Sequence, residues 1–174
     1  MPATCASRPG ARVSTSIEPA ATRRPLACAA VRIPKAIYEQ LLEHAREDAP
    51  NECCGLIGGT VDEARTLYRA SNAEASPFRY RLDPQDQFRI MSEIDECGEE
   101  LAAIYHSHTK SSAYPSQTDI NLALVEQGEG ADAERIQLFP GTIYLIASLA
   151  EGEEPLRGFD IAGDGVREVE LELE

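Results

Sequence analysis

The chain has 174 residues, enough for one domain with a substantial core, and its hydrophobic fraction of 43% and charged fraction of 26% are those of a globular protein. Its longest apolar stretch, Ile143 to Ala150, falls far short of the roughly 20 residues that cross a bilayer, so no membrane association is expected. A net charge of -14 repels phosphate backbones and argues against a nucleic-acid partner.

The charge is unevenly spread. Arg8, Arg12, Arg23 and Arg24 against Glu18 give residues 1–30 a net +3, which leaves -17 on the remainder. Residues 1–28 are rich in Ala, Pro, Ser, Thr and Arg and lack the apolar stretch of a secretory signal. They read as a disordered N-terminal extension, and residues 29–174 as the folded domain. The acidic body would attract a basic protein partner as a long-range steering effect, or else serves solubility alone. The five cysteines, Cys5, Cys28, Cys53, Cys54 and Cys97, are odd in number and form no CxxC. That pattern is neither a disulfide framework nor a Cys-rich zinc site, and it points to free thiols in a reducing cytoplasm.

Ala29 to Ile33 reads as a short strand. Pro34 then opens a helix over residues 34–48, with Ile37, Leu41, Leu42 and Ala45 at helical spacing. On that helix His44 reads as a solvated residue. Ala49-Pro50-Asn51 breaks the helix. Cys53 to Ile57 is a buried strand that ends in a turn at Gly58-Gly59. Val61 to Ala70 and Phe78 to Leu82 read as strands around a polar loop.

Asp83-Pro84 starts a second helix, with Phe88, Met91 and Ile94 as its buried face and Cys97-Gly98 as its end. Leu101 to Tyr105 is short and apolar, a central strand running into His106-Ser107-His108. After a polar loop to Pro115, Ser116 begins a third helix with Ile120, Ala123 and Leu124 inside. Residues 127–135, rich in Gly, Glu and Asp, read as a loop. Thr142 to Leu149, Pro155 to Ile161 and Val166 to Leu171 read as closing strands. Strands and helices interleave without a regular βαβ repeat. The expected fold class is therefore α/β of the mixed, α+β kind: one mixed β-sheet with helices packed against it.

The stretch from His106 to Asp119 is the most informative. Residues i and i+2 of a strand share a face, so His106 and His108 can address one ion. Asp119 falls in the first turn of the next helix, and the intervening residues suffice to fold it back over the strand end. Two imidazoles and a carboxylate form a catalytic zinc ligand set that leaves a position for water, whose pKa the metal lowers to about 7. An HxH pair alone is equally at home on a surface loop; the following Asp and its Ser-Pro context favour the metal.

Such a site needs a base. Glu52, between the breaker Pro50 and a buried strand, is the best placed of many acids, because partial desolvation raises a carboxylate pKa into the useful range. Ser116, three residues before Asp119, reads both as the N-cap of a capping box and as a hydroxyl that donates to an oxyanion. Cys53 and Cys54 lie in an apolar run and read as inert packing rather than nucleophiles. HExxH, the HxE and PCxxC pair of zinc deaminases, GxSxG and the Walker loop are all missing from the sequence.

Two segments together resemble the JAMM (MPN+) zinc metallopeptidase family over about residues 30–174. Pro50-Asn51-Glu52-Cys53-Cys54-Gly55-Leu56-Ile57-Gly58 is similar to the family's glutamate segment. His106-Ser107-His108, then Pro115-Ser116 and Asp119, is similar to its metal signature. The resemblance implies Glu52 as general base, His106, His108 and Asp119 as ligands of one Zn2+ per chain, and Ser116 as oxyanion donor. It also implies a curved mixed β-sheet flanked by helices, similar to the cytidine deaminase architecture.

Thr109 stands where the family usually has Pro. With Ala113-Tyr114-Pro115-Ser116 it looks like the actinobacterial-type Mec branch. That resemblance implies a hydrolase that releases cysteine from the C-terminal Gly-Gly of a ubiquitin-like sulfur carrier protein, in cysteine biosynthesis. Two other readings stand beside it: a general isopeptidase that removes ubiquitin-like proteins from lysines, and a non-catalytic MPN scaffold. A scaffold is expected to have lost ligands, and here all are present. The sequence leaves the oligomeric state open, a homodimer included.

Overall fold

The structure is a computed structural model that describes residues 30–128 and 133–174. The expected N-terminal extension at residues 1–28 lies outside the described residues, as does the middle of the acidic stretch near residue 130. The elements run β1 (Val31–Ile33), α1 (Lys35–Asp48), β2 (Cys54–Thr60), β3 (Glu63–Ala70), α2 (Pro84–Glu96), β4 (Glu100–His108), α3 (Gln117–Ala123), β5 (Leu124–Gln127), β6 (Glu134–Gln137), β7 (Ile143–Ser148), β8 (Leu156–Ala162), β9 (Gly165–Val169) and β10 (Leu171–Leu173).

Eight strands form one sheet in the order β10-β1-β3-β2-β4-β7-β8-β9. It is mixed: β1 pairs in parallel with β10 and β3, and β4 with β7, while the other pairs are antiparallel. Consecutive strands β9 and β10 occupy opposite edges although Glu170 alone separates them. The sheet must therefore curl until its edges meet, as right-handed strand twist permits.

The central strands β2, β4 and β7 are buried on both faces and alternate between two cores. Tyr105, Ile57 and Leu145 face α1 and pack with Leu41 and Ala45. Leu56, Ile104, Tyr144 and Phe159 face the other way and pack with Ile90 and Ile94 of α2 and Ala123 of α3. His106 and His108 share the parity of Ile104, so they point to the α2 and α3 side. No described helix is long and apolar enough to cross a membrane.

Several expectations need correction. Gly58-Gly59 does not end β2; both lie inside it at a bulge. A Cβ on Gly59 would collide with the Glu63 carbonyl of the neighbouring strand, so the close strand approach requires glycine there, whereas at Gly58 it would meet the movable end of the Glu99 side chain. Phe78 to Leu82 is a loop with a single bridge, Asn72 to Leu82. The buried face of α2 is Ile90 and Ile94, one turn apart, whereas Phe88 points away and is 76% exposed. The stretch 127–135 is not simply a loop. Its flanks form the β5–β6 hairpin, with Val125 opposite Ile136. Main-chain pairing tolerates the acidic side chains there because they stay exposed. The hairpin is anchored by Gln137 Nε2, which donates to Asp160 Oδ1 at 2.7 Å and to the Ile161 carbonyl at 3.0 Å.

Candidate metal centre

β4 continues beyond Tyr105 through His108, so the two histidines belong to the strand itself. Both are buried, at 0% and 5% exposure, and Asp119 is buried at 2%. The atoms that converge are His106 Nε2, His108 Nε2 and Asp119 Oδ2. Their separations are 3.2 Å between the imidazoles, 3.5 Å from His106 to Asp119 and 3.4 Å from His108 to Asp119. A tetrahedral zinc with ligands at about 2.0–2.1 Å has ligand–ligand edges of about 3.3–3.4 Å. The triangle therefore has the size of one face of that tetrahedron, and the three residues fit such an ion.

Neighbouring groups aim these ligands. His108 Nδ1 lies 2.7 Å from the Ser112 carbonyl, so it carries the proton and leaves Nε2 with a free lone pair. The Tyr80 ring stacks on His106 at 4.2 Å and 18°, which holds the imidazole plane. His106 Nδ1 is buried without a hydrogen-bond partner.

Asp119 is placed by the N-terminus of α3. Its N–H donates to Ser116 Oγ at 3.3 Å, and its Oδ2 accepts the Ser116 N–H at 2.7 Å. This reciprocal pair is a capping box that uses Asp in place of Glu. Ser116 is exposed, and its own hydroxyl hydrogen remains available to donate.

The electrostatics follow the same geometry. Burial lowers the His106 pKa, which favours the neutral, ligating imidazole. Burial also pulls His108 down, but hydrogen bonds to Asp119 and the Ser112 carbonyl outweigh it and the pKa is raised. Burial pushes Asp119 up, yet hydrogen bonds with His106 and His108 hold its carboxyl well below the usual range. His106 is thus held neutral, His108 leans toward its protonated form and Asp119 stays ionised.

Glu52 sits just before β2. Antiparallel pairing sets Cys54 beside His106, and two residues outward that register brings Glu52 level with His108. The side chain is 4% exposed and its Oε2 is buried without a partner. Burial raises its pKa to about 7; His108 opposes the shift and Asp119 adds to it. The main chain of Glu52 is gripped at both ends. Its N–H donates to the Ser76 carbonyl at 2.9 Å, and its carbonyl accepts from Asn72 Nδ2 at 2.9 Å.

The cysteines take no part in this chemistry. Burial pushes the thiols of Cys53 and Cys54 up to about 12, so neither forms a thiolate near neutral pH. His44 is not solvated as expected. It is buried at 5% exposure, 2.8 Å from Tyr105 Oη and 3.3 Å from Asp48 Oδ2, on the α1 side of the sheet.

Three positioning residues escaped sequence reasoning. Ser107, between the histidines, turns its hydroxyl the opposite way to hold Cys53. Asn72 organises the 72–81 loop, where Oδ1 accepts from the N–H groups of Glu74 and Arg81. Tyr80 lies in the segment read as a strand. Strand parity could have flagged Ser107, a lone hydroxyl on an apolar face; nothing local marks the other two.

The profile of the family described as prokaryotic homologs of the JAB domain (Prok-JAB) matches residues 34–157. The CysO-cysteine peptidase of Mycobacterium tuberculosis (strain H37Rv) is 41% identical over 89 residues, which are 50% of this chain and 61% of that protein. The desampylase of Haloferax volcanii is 35% identical over 144 residues, 78% of this chain and 91% of that protein. Among solved structures, protein DSY2949 from Desulfitobacterium hafniense is similar with a TM-score of 0.67 and 32% identity, covering 83% of this chain and 92% of that one. By its Prok-JAB match and by these relatives, the chain belongs to the JAMM/MPN+ family, among the prokaryotic homologs of the JAB domain.

Proposed function

We propose that the chain is a zinc-dependent peptidase of one Zn2+ per chain that hydrolyses the bond after the C-terminal glycine of a ubiquitin-like sulfur carrier protein and releases cysteine. The observation that carries this reading is the zinc-sized triangle of His106, His108 and Asp119 with the buried, unpartnered carboxylate of Glu52 beside it. When bound there, the ion polarises the scissile carbonyl and acidifies a water molecule.

The chain's own residues do the rest. Glu52, in its carboxylate form, takes the proton from the attacking water and delivers it to the leaving nitrogen. Its raised pKa makes it competent both to accept and to release that proton near neutrality. The Ser116 hydroxyl donates to the oxyanion as negative charge grows on the carbonyl oxygen. The substrate's extended tail lies along an exposed strand edge through main-chain hydrogen bonds, and a Gly-Gly end suits a narrow approach. A reducing cytoplasm fits the thiols of Cys53 and Cys54.

The choice of leaving group rests on two observations. Thr109, in place of the family's usual proline, and the 41% match to a CysO-cysteine peptidase favour cysteine. A second reading, removal of ubiquitin-like proteins from lysines, is favoured by the longer match to a desampylase, over 78% of this chain. The non-catalytic scaffold is disfavoured by the complete ligand set. The test is metal analysis of the purified protein, followed by incubation with a carrier–cysteine adduct and, separately, a carrier–lysine isopeptide. Cleavage of the first alone supports cysteine release. Equal cleavage of both supports the broader isopeptidase, and cleavage of neither by zinc-loaded protein overturns the peptidase reading.

A further inference from the structure

The segment 71–83, between β3 and α2, forms a strap against the candidate metal centre. It is braced within itself. The Ala73 N–H donates to the Arg81 carbonyl at 2.8 Å, Asn72 Nδ2 donates to the Arg79 carbonyl at 3.2 Å, and the Glu74 carboxylate faces Arg79 at 3.6 Å and Arg81 at 3.4 Å. Ala75 is the one non-glycine among the described residues with a positive φ, 43°. Such a conformation persists only where surrounding contacts hold it.

The strap reaches the site at three places. The Ser76 carbonyl accepts the Glu52 N–H at 2.9 Å, the Tyr80 ring stacks on His106, and the Pro77 carbonyl accepts from Thr109 Oγ1 at 3.3 Å. The third contact completes a clasp. Thr109 directly follows the ligand His108, and Pro77 directly follows the residue that grips Glu52. The bond therefore fastens the tip of the strap across the space between the proposed base and the end of β4. A proline at position 109 would have no hydroxyl to make it. Phe78, next in the strap, stands out from this tip at 75% exposure, and its N–H donates to Ser76 Oγ at 3.2 Å.

The geometry points to Thr109 as a specificity-determining residue: its bond to Pro77 holds the strap down on the leaving-group side, so that the site releases a single amino acid and resists a leaving group carried on a folded protein. This deepens the peptidase reading above and rests on it. In that reading Glu52 hands a proton to the leaving nitrogen, so the leaving group departs beside Glu52, where the pinned tip and the Phe78 ring stand. A lone amino acid has little bulk to bring against them. The body of a protein joined to the same nitrogen must push the tip aside. The share of that cost due to Thr109 is one neutral hydrogen bond, so its loss should change the discrimination about twofold to tenfold.

The test keeps the scissile bond constant and varies the bulk behind it. Three substrates carry the sequence Gly-Gly-Cys at the end of the carrier: the adduct with free cysteine, the same adduct as the cysteine amide, and a fusion in which that cysteine begins a folded protein. Zinc-loaded wild type should cleave the first two with similar kcat/KM and the fusion more slowly than either. Thr109→Val keeps the shape and removes the donor. It should raise cleavage of the fusion relative to the adduct about twofold to tenfold, and Thr109→Ser, which keeps the hydroxyl, should retain the wild-type ratio. Zinc content should hold in both variants. Hydrogen exchange of the Glu52 and Phe78 amides in substrate-free protein reads the strap directly; it should quicken in Thr109→Val and stay near wild type in Thr109→Ser. A fusion cleaved as fast as the adduct by wild type removes the specificity role and leaves the peptidase reading. A cysteine amide cleaved as slowly as the fusion assigns the discrimination to the carboxylate and overturns the proposal. An unchanged ratio or unchanged exchange in Thr109→Val overturns it as well. Cleavage of none of the three substrates overturns the peptidase reading, and the proposal with it.

Discussion

Ser107 and Cys53 exchange two hydrogen bonds across 54 positions of sequence: the Cys53 N–H donates to Ser107 Oγ at 2.9 Å, and the Ser107 N–H donates to the Cys53 carbonyl at 3.1 Å. The pair fastens the residue after Glu52 to the residue between the two histidines. It therefore sets the distance between proposed base and proposed metal. Ser107→Ala leaves a buried N–H without its acceptor, which costs about 1–3 kcal/mol. For a domain of this size that lowers Tm by roughly 2–12 °C. Turnover should fall while zinc content holds, since strand pairing and α3 still place the ligands. Ser107→Thr, which keeps the acceptor oxygen, should restore part of the rate. Thermal unfolding, metal analysis and the adduct assay check this; an unchanged kcat in Ser107→Ala would refute the positioning role.

Glu52 gives a pH signature with a definite sign. In the structure its pKa is raised from 4.5 to about 7, first by burial. A divalent ion alongside favours the carboxylate, so in the zinc-loaded enzyme the acidic limb of kcat/KM should rise with pH at a midpoint below 7. Glu52→Gln should bind zinc, lose roughly 10²- to 10⁴-fold in rate and lose that limb. The metal-free protein has the matching stability effect. Between 4.5 and about 7 the folded state holds a proton that the unfolded state has released, so stability falls as pH rises through this window. The loss is about 3 kcal/mol at most, and Glu52→Gln should not show it. Urea unfolding of wild type and Glu52→Gln with a chelator at pH 5 and pH 8 isolates the Glu52 contribution from that of the histidines; a wild-type-minus-variant difference of the opposite sign would refute the assignment.

The histidine pair and Asp119 were readable because their convergence depends on local rules, strand parity and the first turn of a helix. Glu52 was different. On its own residues it was one acid among many, and the resemblance singled it out. The parts that stayed hidden depend on distant contacts. Asn72 reaches Glu52 across 20 positions, and Ser107 reaches Cys53 across 54. His44 looked solvated because a polar residue beside a helix's apolar stripe is usually outside. It is buried because Tyr105, 61 positions away, supplies a partner. Phe88 was misassigned for the converse reason: spacing finds a helix, but tertiary packing chooses which stripe is inside.

Ser116 has two roles that one substitution cannot separate. Ser116→Ala removes the cap, at about 1 kcal/mol, and also removes the oxyanion donor, for which losses of about 10²–10³ in kcat are typical. Ser116→Asp keeps an acceptor for the Asp119 N–H but has no hydrogen to donate. If the hydroxyl serves catalysis, Ser116→Asp should unfold near the wild-type temperature and still lose turnover, with KM little changed. If capping is its whole contribution, Ser116→Asp should retain activity. Paired melting curves and steady-state kinetics on the two variants decide between these outcomes.

The buried pair His44 and Tyr105 offers a test of the scaffold apart from the site. His44 Nε2 faces Asp48 Oδ2 at 3.3 Å, which places the ring proton there and leaves Nδ1 to accept the Tyr105 O–H at 2.8 Å. Burial lowers the His44 pKa and raises that of Tyr105 well above its ordinary value, so both are neutral and the donor–acceptor order is fixed. Tyr105→Phe leaves a buried acceptor unmatched, and His44→Leu leaves a buried hydroxyl unmatched; each should cost about 1–3 kcal/mol. Removing both partners together leaves neither group stranded. The double variant should therefore be more stable than the sum of the single losses implies, with a coupling of about 0.5–3 kcal/mol. Tyr105 faces α1 while His106 faces the opposite core, so zinc binding should be unchanged in all three variants. Strictly additive losses in urea unfolding would show that the two residues are neighbours without a mutual hydrogen bond.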